Sequence, residues 1–352
     1  MKFIKVIFLL SLIISISSCK KDENDEVKSN IDYAKGVFIL NEGSFGNLNA
    51  SISHIGFNDQ LSADPYYNSN GVFLGDVLQG FAVHAERGYA VLNNSQKIEV
   101  IDMTDFKNNT TITGFDYPRH IVVHDNYAFV SNGSFAGDVK VIDISTNEIV
   151  ESIPVGNGPE NMLVYNNKLY VCNSGGWTTD NRITVIDILT LQAVSTIEVG
   201  DRPMEIALDA NEMIWVLSSG ETLYDENWEV SGHTDASMHL IDPATDLLVD
   251  EFPIGLSGDH PRSFCIGNNM STLLVVNNNL LSMGIDDLSS GWQTLSSGAY
   301  NTVDIDQIAG DIWLTSQPDF VSNSQVWRMN ESGTILDTYT GGIGSNGVVV
   351  VH

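Results

Sequence analysis

Val141-Ile142-Asp143-Ile144-Ser145-Thr146-Asn147 is one copy of a phrase that returns along the chain, and its return decides the fold. Upstream of it, Pro118-Arg119-His120-Ile121 opens an apolar run that ends at Asn132-Gly133; downstream lies Pro154-Val155-Gly156. The next copy runs from Pro159-Glu160-Asn161-Met162 through Asn173-Ser174-Gly175 and Val185-Ile186-Asp187 to Val199-Gly200, and another opens at Pro203. The aspartates that close the phrase, Asp102, Asp143, Asp187, Asp242 and Asp286, lie 41, 44, 55 and 44 residues apart. A period of roughly 40–45 residues belongs to propeller and solenoid repeats.

Within one copy the apolar residues alternate or run for a few positions, are rich in Val and Ile, and are bounded by Asn, Gly, Asp and Pro. That pattern reads as short strands. In the third unit the expected strands are Ile121 to His124, Tyr127 to Ser131, Asp138 to Asp143 and Ile149 to Val155. The connections are too short for a parallel crossover, so each unit is an antiparallel meander of four strands. Units of this kind close radially into an all-β propeller; a linear solenoid is the alternative.

The second-strand signature occurs at Val37 to Asn41, Tyr89 to Asn93, Tyr127 to Asn132, Leu169 to Asn173, Ile214 to Ser218, Leu273 to Asn277 and Ile312 to Ser316, which predicts seven blades. The chain begins out of phase, since Gly36-Val37-Phe38-Ile39-Leu40-Asn41 has no first strand before it. Asn346-Gly347-Val348-Val349-Val350-Val351 has first-strand character and no second strand after it. Pairing the two completes one blade from both ends of the propeller, at 35–352, and removes an open sheet edge.

Residues 1–18 read as a secretion signal: Lys2 and Lys5, an apolar stretch, then Ile16-Ser17-Ser18-Cys19. Small residues before a cysteine resemble the bacterial lipoprotein processing site, which implies acylation of Cys19. The following Lys20-Lys21-Asp22-Glu23-Asn24-Asp25-Glu26 belongs to an acidic tether at 19–34, similar to surface-export tails of lipoproteins from the Bacteroidota. The expected location is the outer membrane, facing outward, with the lipid as the only membrane contact. The formal net charge is −29, from 16 basic and 45 acidic residues. Phosphate-rich partners need basic patches, so nucleic acid is excluded as a partner class. Cys172 and Cys265 are expected to be separate, small apolar fillers.

In such a meander the loop between strands two and three shares an end with the linker to the next blade, and this end is the expected functional face. It carries Phe45, Phe135, Trp177, Tyr224, Trp228 and Phe320 in loops otherwise built from Gly, Ser, Asn and Asp. Large rings there point to a recognition surface; the alternative is that each ring caps its own blade. Arg119, Arg202 and Arg262, three of six arginines in the chain, flank the repeat proline together with His260. They are suited to a phosphate, carboxylate or amide carbonyl, unless neighbouring carboxylates hold them. The fifth unit is stretched from Ser218 to Asp235. Gly43-Ser44-Phe45-Gly46 lacks the form of a nucleophile elbow. No resident cofactor or metal is expected, although Asp304 and Asp306, with Asp311, are weighed as a calcium site against plain blade carboxylates.

Gly36-Val37-Phe38-Ile39-Leu40-Asn41-Glu42-Gly43, Tyr170-Val171-Cys172-Asn173 and Val185-Ile186-Asp187 with Ile197-Glu198-Val199-Gly200 resemble the YncE-like, YVTN-type seven-bladed propellers. With a lipoprotein signal and an acidic tether, the chain more particularly resembles Bacteroidota surface lipoproteins of the BtuG type. That resemblance implies non-catalytic capture of vitamin B12 or another corrinoid and its transfer to a TonB-dependent outer-membrane transporter. Two other classes compete with it: a propeller enzyme of lactonase, lyase or quinoprotein type, and a protein- or glycan-binding module.

Overall fold

Each alternating run becomes one strand of a four-stranded antiparallel sheet, and seven such sheets form the molecule. The computed structural model describes residues 33–133, 135–267 and 270–352. The signal at 1–18, Cys19 and the tether up to residue 32 lie outside the described residues. Tyr33, at the tether's end, already rests its ring against His54 and Phe106, at centroid distances of 5.1 and 5.0 Å.

The third blade shows how closely the pattern is followed, with strands Ile121–His124, Tyr127–Asn132, Ala136–Asp143 and Glu148–Asn157. The recurring aspartate has a local job. Asp143 Oδ1 accepts from Ser145 N at 2.8 Å and Ser145 Oγ at 2.6 Å, closing the turn to the fourth strand. Asp102 does the same for Thr104, Asp187 for Thr190, and Asp242 for Ala244 N and Thr245 Oγ1. A short acceptor that bonds the backbone two or three residues on is what such a turn selects. The fifth copy departs: the third strand of blade six ends at Gly284, and Asp286 falls in a 3-10 turn, Ile285–Ser290.

The recurring asparagine ties blades together. Asn93 Nδ2 donates to the Pro118 carbonyl at 3.0 Å, and Asn132 Oδ1 accepts from Asp116 N at 2.7 Å, so both hold the linker into blade three.

Blade one is built from both ends, as the phase of the repeat requires. Strand Ser345–Val351 pairs with Gly36–Asn41, in the register Val37↔Val350, Phe38↔Val349 and Ile39↔Val348. The innermost strands of neighbouring blades touch all the way round the axis, and the buried side chains of the described residues group into one cluster per blade interface. The last of these packs Val37, Ile39 and Val348 from blade one against Trp313 and Val326 from blade seven. Blade faces therefore find partners only because the ring closes.

Two local features are absent from the repeat pattern. The helix Pro65–Asn70 follows the fourth strand of blade one, capped by Asp64, whose Oδ1 accepts from Tyr67 N at 3.0 Å. The stretch in blade five, read from the sequence as a loop, contains a hairpin, Thr222–Tyr224 with Val230–His233. Among the described residues no helix is long and apolar enough to cross a membrane.

Candidate functional site

Linkers into the first strands place a ring of polar side chains around one mouth of the axial channel. Gln79, Arg119, Glu160, Arg202, Arg262, Asn301 and Asn346, from all seven blades, line a cavity of about 410 Å³ there. The channel continues inward past Glu205, Cys265 and Asp304 as a second space of about 410 Å³. Above the mouth, on the same face, lies an open cleft of about 740 Å³ lined by Phe45, Tyr117, Phe135 and Trp177, with Arg119, Glu160 and Arg202 shared with the channel.

The loops that carry the rings are held by backbone contacts. Blades three and four are joined by the single residue Gly158. Its φ is +52°, and a Cβ there would stand 2.1 Å from Gly176 N, so only glycine fits. Gly158 N donates to the Phe135 carbonyl at 3.1 Å, and its own carbonyl accepts from Ser174 N at 2.9 Å. One glycine thus pins the Phe135 loop to the Trp177 loop. Tyr117 and Arg202 each precede a repeat proline with φ of +52° and +57°, a conformation that costs bulky residues about 1–2 kcal/mol and concentrates at ligand sites.

The rings do not fold back as blade caps. Phe45, Phe135 and Trp177 are 73%, 60% and 77% exposed, and all three line the same cleft. Tyr224 and Trp228 are also exposed but stand on the blade-five hairpin, 6.3 Å apart, outside this cleft. Phe320 is exposed as well, and its carbonyl accepts from Ser44 Oγ, which joins its loop to the Phe45 loop. His260 and Arg262 line the channel mouth with Arg119 and Arg202. His260 Nδ1 bonds the Ser219 carbonyl at 2.9 Å, and its Nε2 faces His233 Nδ1 at 3.2 Å and Thr222 Oγ1 at 3.1 Å, anchoring the hairpin to the mouth. Tyr117, which precedes Pro118 at a first-strand entrance, lines the cleft with Phe45, Phe135 and Trp177 although it lies in an interblade linker and not in a loop between strands two and three.

The arginines differ in their partners. Arg119 Nε donates to Glu160 Oε2 at 3.0 Å, with His120 Nε2 at 3.4 Å from the same oxygen and Ser174 Oγ at 3.4 Å from Oε1. Burial opposes ionisation of Glu160, but Arg119 and His120 outweigh it and hold its pKa down to about 2. Among the described residues, no carboxylate lies within ion-pair distance of Arg202 or Arg262.

Deeper in the channel the acids are shifted the other way. Burial pushes Glu205 up to about 8, against the Phe264 N–H that donates to it at 2.7 Å, and nearby Asp304 adds to the rise. Burial likewise pushes Asp304 up to about 7, although the Ile305 N–H donates to it at 2.7 Å. Between the ordinary glutamate value and about 8, the folded state keeps a proton that the unfolded chain releases, so this contribution to stability falls as pH rises. Glu205→Gln is expected to match the parent near pH 5 and to exceed it by about 2 kcal/mol near pH 8, the shift being discounted for channel water. Urea titrations at the two pH values check it; a variant no more stable at pH 8 overturns the assignment.

The calcium arrangement weighed from the sequence is not formed. The strand Thr302–Ile305 ends before Asp306, so the alternation that would align Asp306 with Asp304 stops there. Asp306 instead accepts from Ile308 N, Ala309 N and His352 Nε2, while Asp311 faces Arg328 at 3.7 Å. Among the described residues no three potential metal ligands come together. Cys172 and Cys265 are both free thiols, raised by burial, in blades four and six.

Residues 35–227, more than half of the chain, match the model of the family described as Domain of unknown function (DUF5074), and the chain belongs to that family. No curated protein matches. Similar solved structures include a quinoprotein alcohol dehydrogenase-like protein from Bacteroides thetaiotaomicron, 13% identical, with a TM-score of 0.68 over 92% of this chain and 80% of that one. A functionally unknown protein from Desulfotomaculum acetoxidans is 12% identical, with a TM-score of 0.66 over 90% and 99%. Kuenenia stuttgartiensis hydrazine synthase is 14% identical, with a TM-score of 0.62 over 76% and 87%. At these identities the likeness is one of fold.

Proposed function

We propose that this DUF5074 propeller is a non-catalytic surface lipoprotein that captures a large polar ligand, a corrinoid first among candidates, and passes it to a TonB-dependent outer-membrane transporter. The carrying observation is the convergence of Phe45, Phe135 and Trp177 on one open cleft whose lining includes Arg119 and Arg202. Rigid exposed rings supply contact area at low entropic cost, and arginines fix the orientation of polar groups. The volume, about 740 Å³, is that of a ligand site and suits one face or edge of a macrocycle bearing amides. The resemblance to BtuG-type lipoproteins supplies the corrinoid and the transporter; acylation at Cys19 supplies the tether.

Calorimetric titration of the compact unit 32–352 with cyanocobalamin tests the reading. A 1:1 complex is expected, with Phe135→Ala and Trp177→Ala each weakening it about tenfold or more. Absence of saturable heat at about micromolar concentrations removes the corrinoid. Saturation that survives both substitutions moves the site away from the cleft.

A further inference from the structure

A chain with 45 acidic and 16 basic residues has ample means to neutralise every arginine, yet among the described residues the two at the mouth of one cavity, Arg202 and Arg262, have no carboxylate within ion-pair distance. Arg182 and Arg328, by contrast, are each held by carboxylate oxygens, at 2.7 and 2.6 Å. From these observations we propose that the channel mouth is an oxyanion-binding site, in which Arg202 and Arg262, with the outer nitrogens of Arg119, receive a phosphate or carboxylate group.

The three side chains flank the repeat proline at the entrances to first strands: Arg119 and Arg262 follow it in blades three and six, and Arg202 precedes it in blade five. Their backbones are fixed: Arg119 N donates to the Ser131 carbonyl at 2.8 Å, Arg262 N to the Val276 carbonyl at 3.1 Å, and the Arg202 carbonyl accepts from Ser219 N at 3.0 Å. Arg202 N also donates to the Asp180 carbonyl at 3.1 Å, so its left-handed backbone is held from both sides. Guanidinium forks carried on fixed backbones match a planar or tetrahedral oxyanion in geometry.

Among the described residues, the acids nearby leave Arg202 and Arg262 unpaired. Glu160 is taken by Arg119 and His120, and Glu42 Oε1 accepts from Gln79 at 2.7 Å and Asn346 at 2.9 Å. Glu205 accepts from the Phe264 N–H, and its raised pKa favours the neutral acid. Glu221 is within electrostatic range of Arg202 but makes no ion pair with it, and burial raises its pKa. The mouth is thus locally cationic within a strongly anionic protein. Such a centre draws in one small anion or the anionic group of a larger ligand, while the surrounding charge repels polyanions. Arg119 and Arg202 line both the mouth and the aromatic cleft, whereas Arg262 lines the mouth alone.

The probe is inorganic phosphate, titrated into the full chain in detergent at matched ionic strength against chloride, with malonate as a parallel arm. Saturable binding at about millimolar or lower concentration is expected from at least one of the two. Phosphate binding alone identifies a phosphoryl-bearing occupant; malonate binding alone identifies a carboxylate. Arg202→Gln and Arg262→Gln are each expected to weaken it about fivefold or more, and the pair to abolish it. Arg87→Gln serves as the control, because Arg87 Nη1 donates to the Ile144 carbonyl away from the mouth. Should a glutamine variant melt early, Arg262→Lys, which keeps the charge and loses the fork, is read in its place, with weaker binding expected. Failure of both anions to saturate by about 20 mM overturns the proposal, as does binding that persists in the double variant. Cyanocobalamin binding by a protein that ignores both anions would leave the capture function standing and remove only this site.

Discussion

Deleting residues 345–352 is expected to abolish the folded propeller rather than trim it. The lost strand carries buried Val348 and half-buried Val349, Val350 and Val351, each inside an interface of blade one. At about 1.5 kcal/mol or more per buried valine, with the ladder to Gly36–Asn41 lost as well, the deficit approaches the whole stability of a typical domain, about 5–15 kcal/mol. The Asn346 bonds to Glu42 and the Leu78 carbonyl, at 2.9 and 3.0 Å, and the His352–Asp306 pair go with it. Loss of the cooperative melt and of strand circular dichroism is the expected readout. Register offers a sharper check. Gly36 lies opposite Val351, so a two-residue turn can join them as Asp125 and Asn126 join the first two strands of blade three. A permutant of unit 32–352 with 345–351 and a two-residue turn placed ahead of residue 36 is expected to melt within a few degrees of the parent. A truncated protein that keeps its full melt would show that the ring does not depend on closure.

Closure was legible because the repeat has a phase, and phase follows from local chemistry. Asp143 and Asn132 recur since each does a backbone job, capping a turn or tying a linker, that every blade must solve again. Where a blade solves it differently the sequence misleads: Asp286 continues the spacing although its strand has already ended at Gly284. The candidate site was readable at the level of its face and residue types. Which rings meet was not, because that depends on loop conformations with no period, such as the left-handed backbone at Gly158 that brings the Phe135 and Trp177 loops together. The blade-five hairpin escaped notice because its strands are three and four residues long and almost wholly exposed, leaving no burial pattern to read. The Asp304 and Asp306 alternation failed for a related reason, since period two holds only as far as the strand runs.

Glu160→Ala is expected to cost about 1–3 kcal/mol, because it leaves the partly buried Arg119 guanidinium at the channel mouth without its partner. The same reasoning predicts a rescue. Arg119→Met combined with Glu160→Ala removes both charges, and most of the loss is expected to return, since a buried pair is worth less than the penalty of breaking it. Denaturant titration of the two single variants and the double gives the coupling directly. A double variant no better than Glu160→Ala would mean that Glu160 is held mainly by Ser174 and His120, at 3.4 Å each. The pH dependence adds an independent test with a definite sign. Glu160 has a folded pKa near 2, below its unfolded value, so its contribution is complete above the ordinary glutamate range and fades as pH falls toward about 2. Glu205 runs oppositely, contributing most in acid and losing its share as pH climbs to about 8. The two groups therefore act on opposite sides of the stability profile, Glu160 on its acid side and Glu205 on its alkaline side. Glu160→Ala is expected to flatten the acid side of that profile, and Glu205→Gln to reduce the alkaline slope, to which Asp304 also contributes.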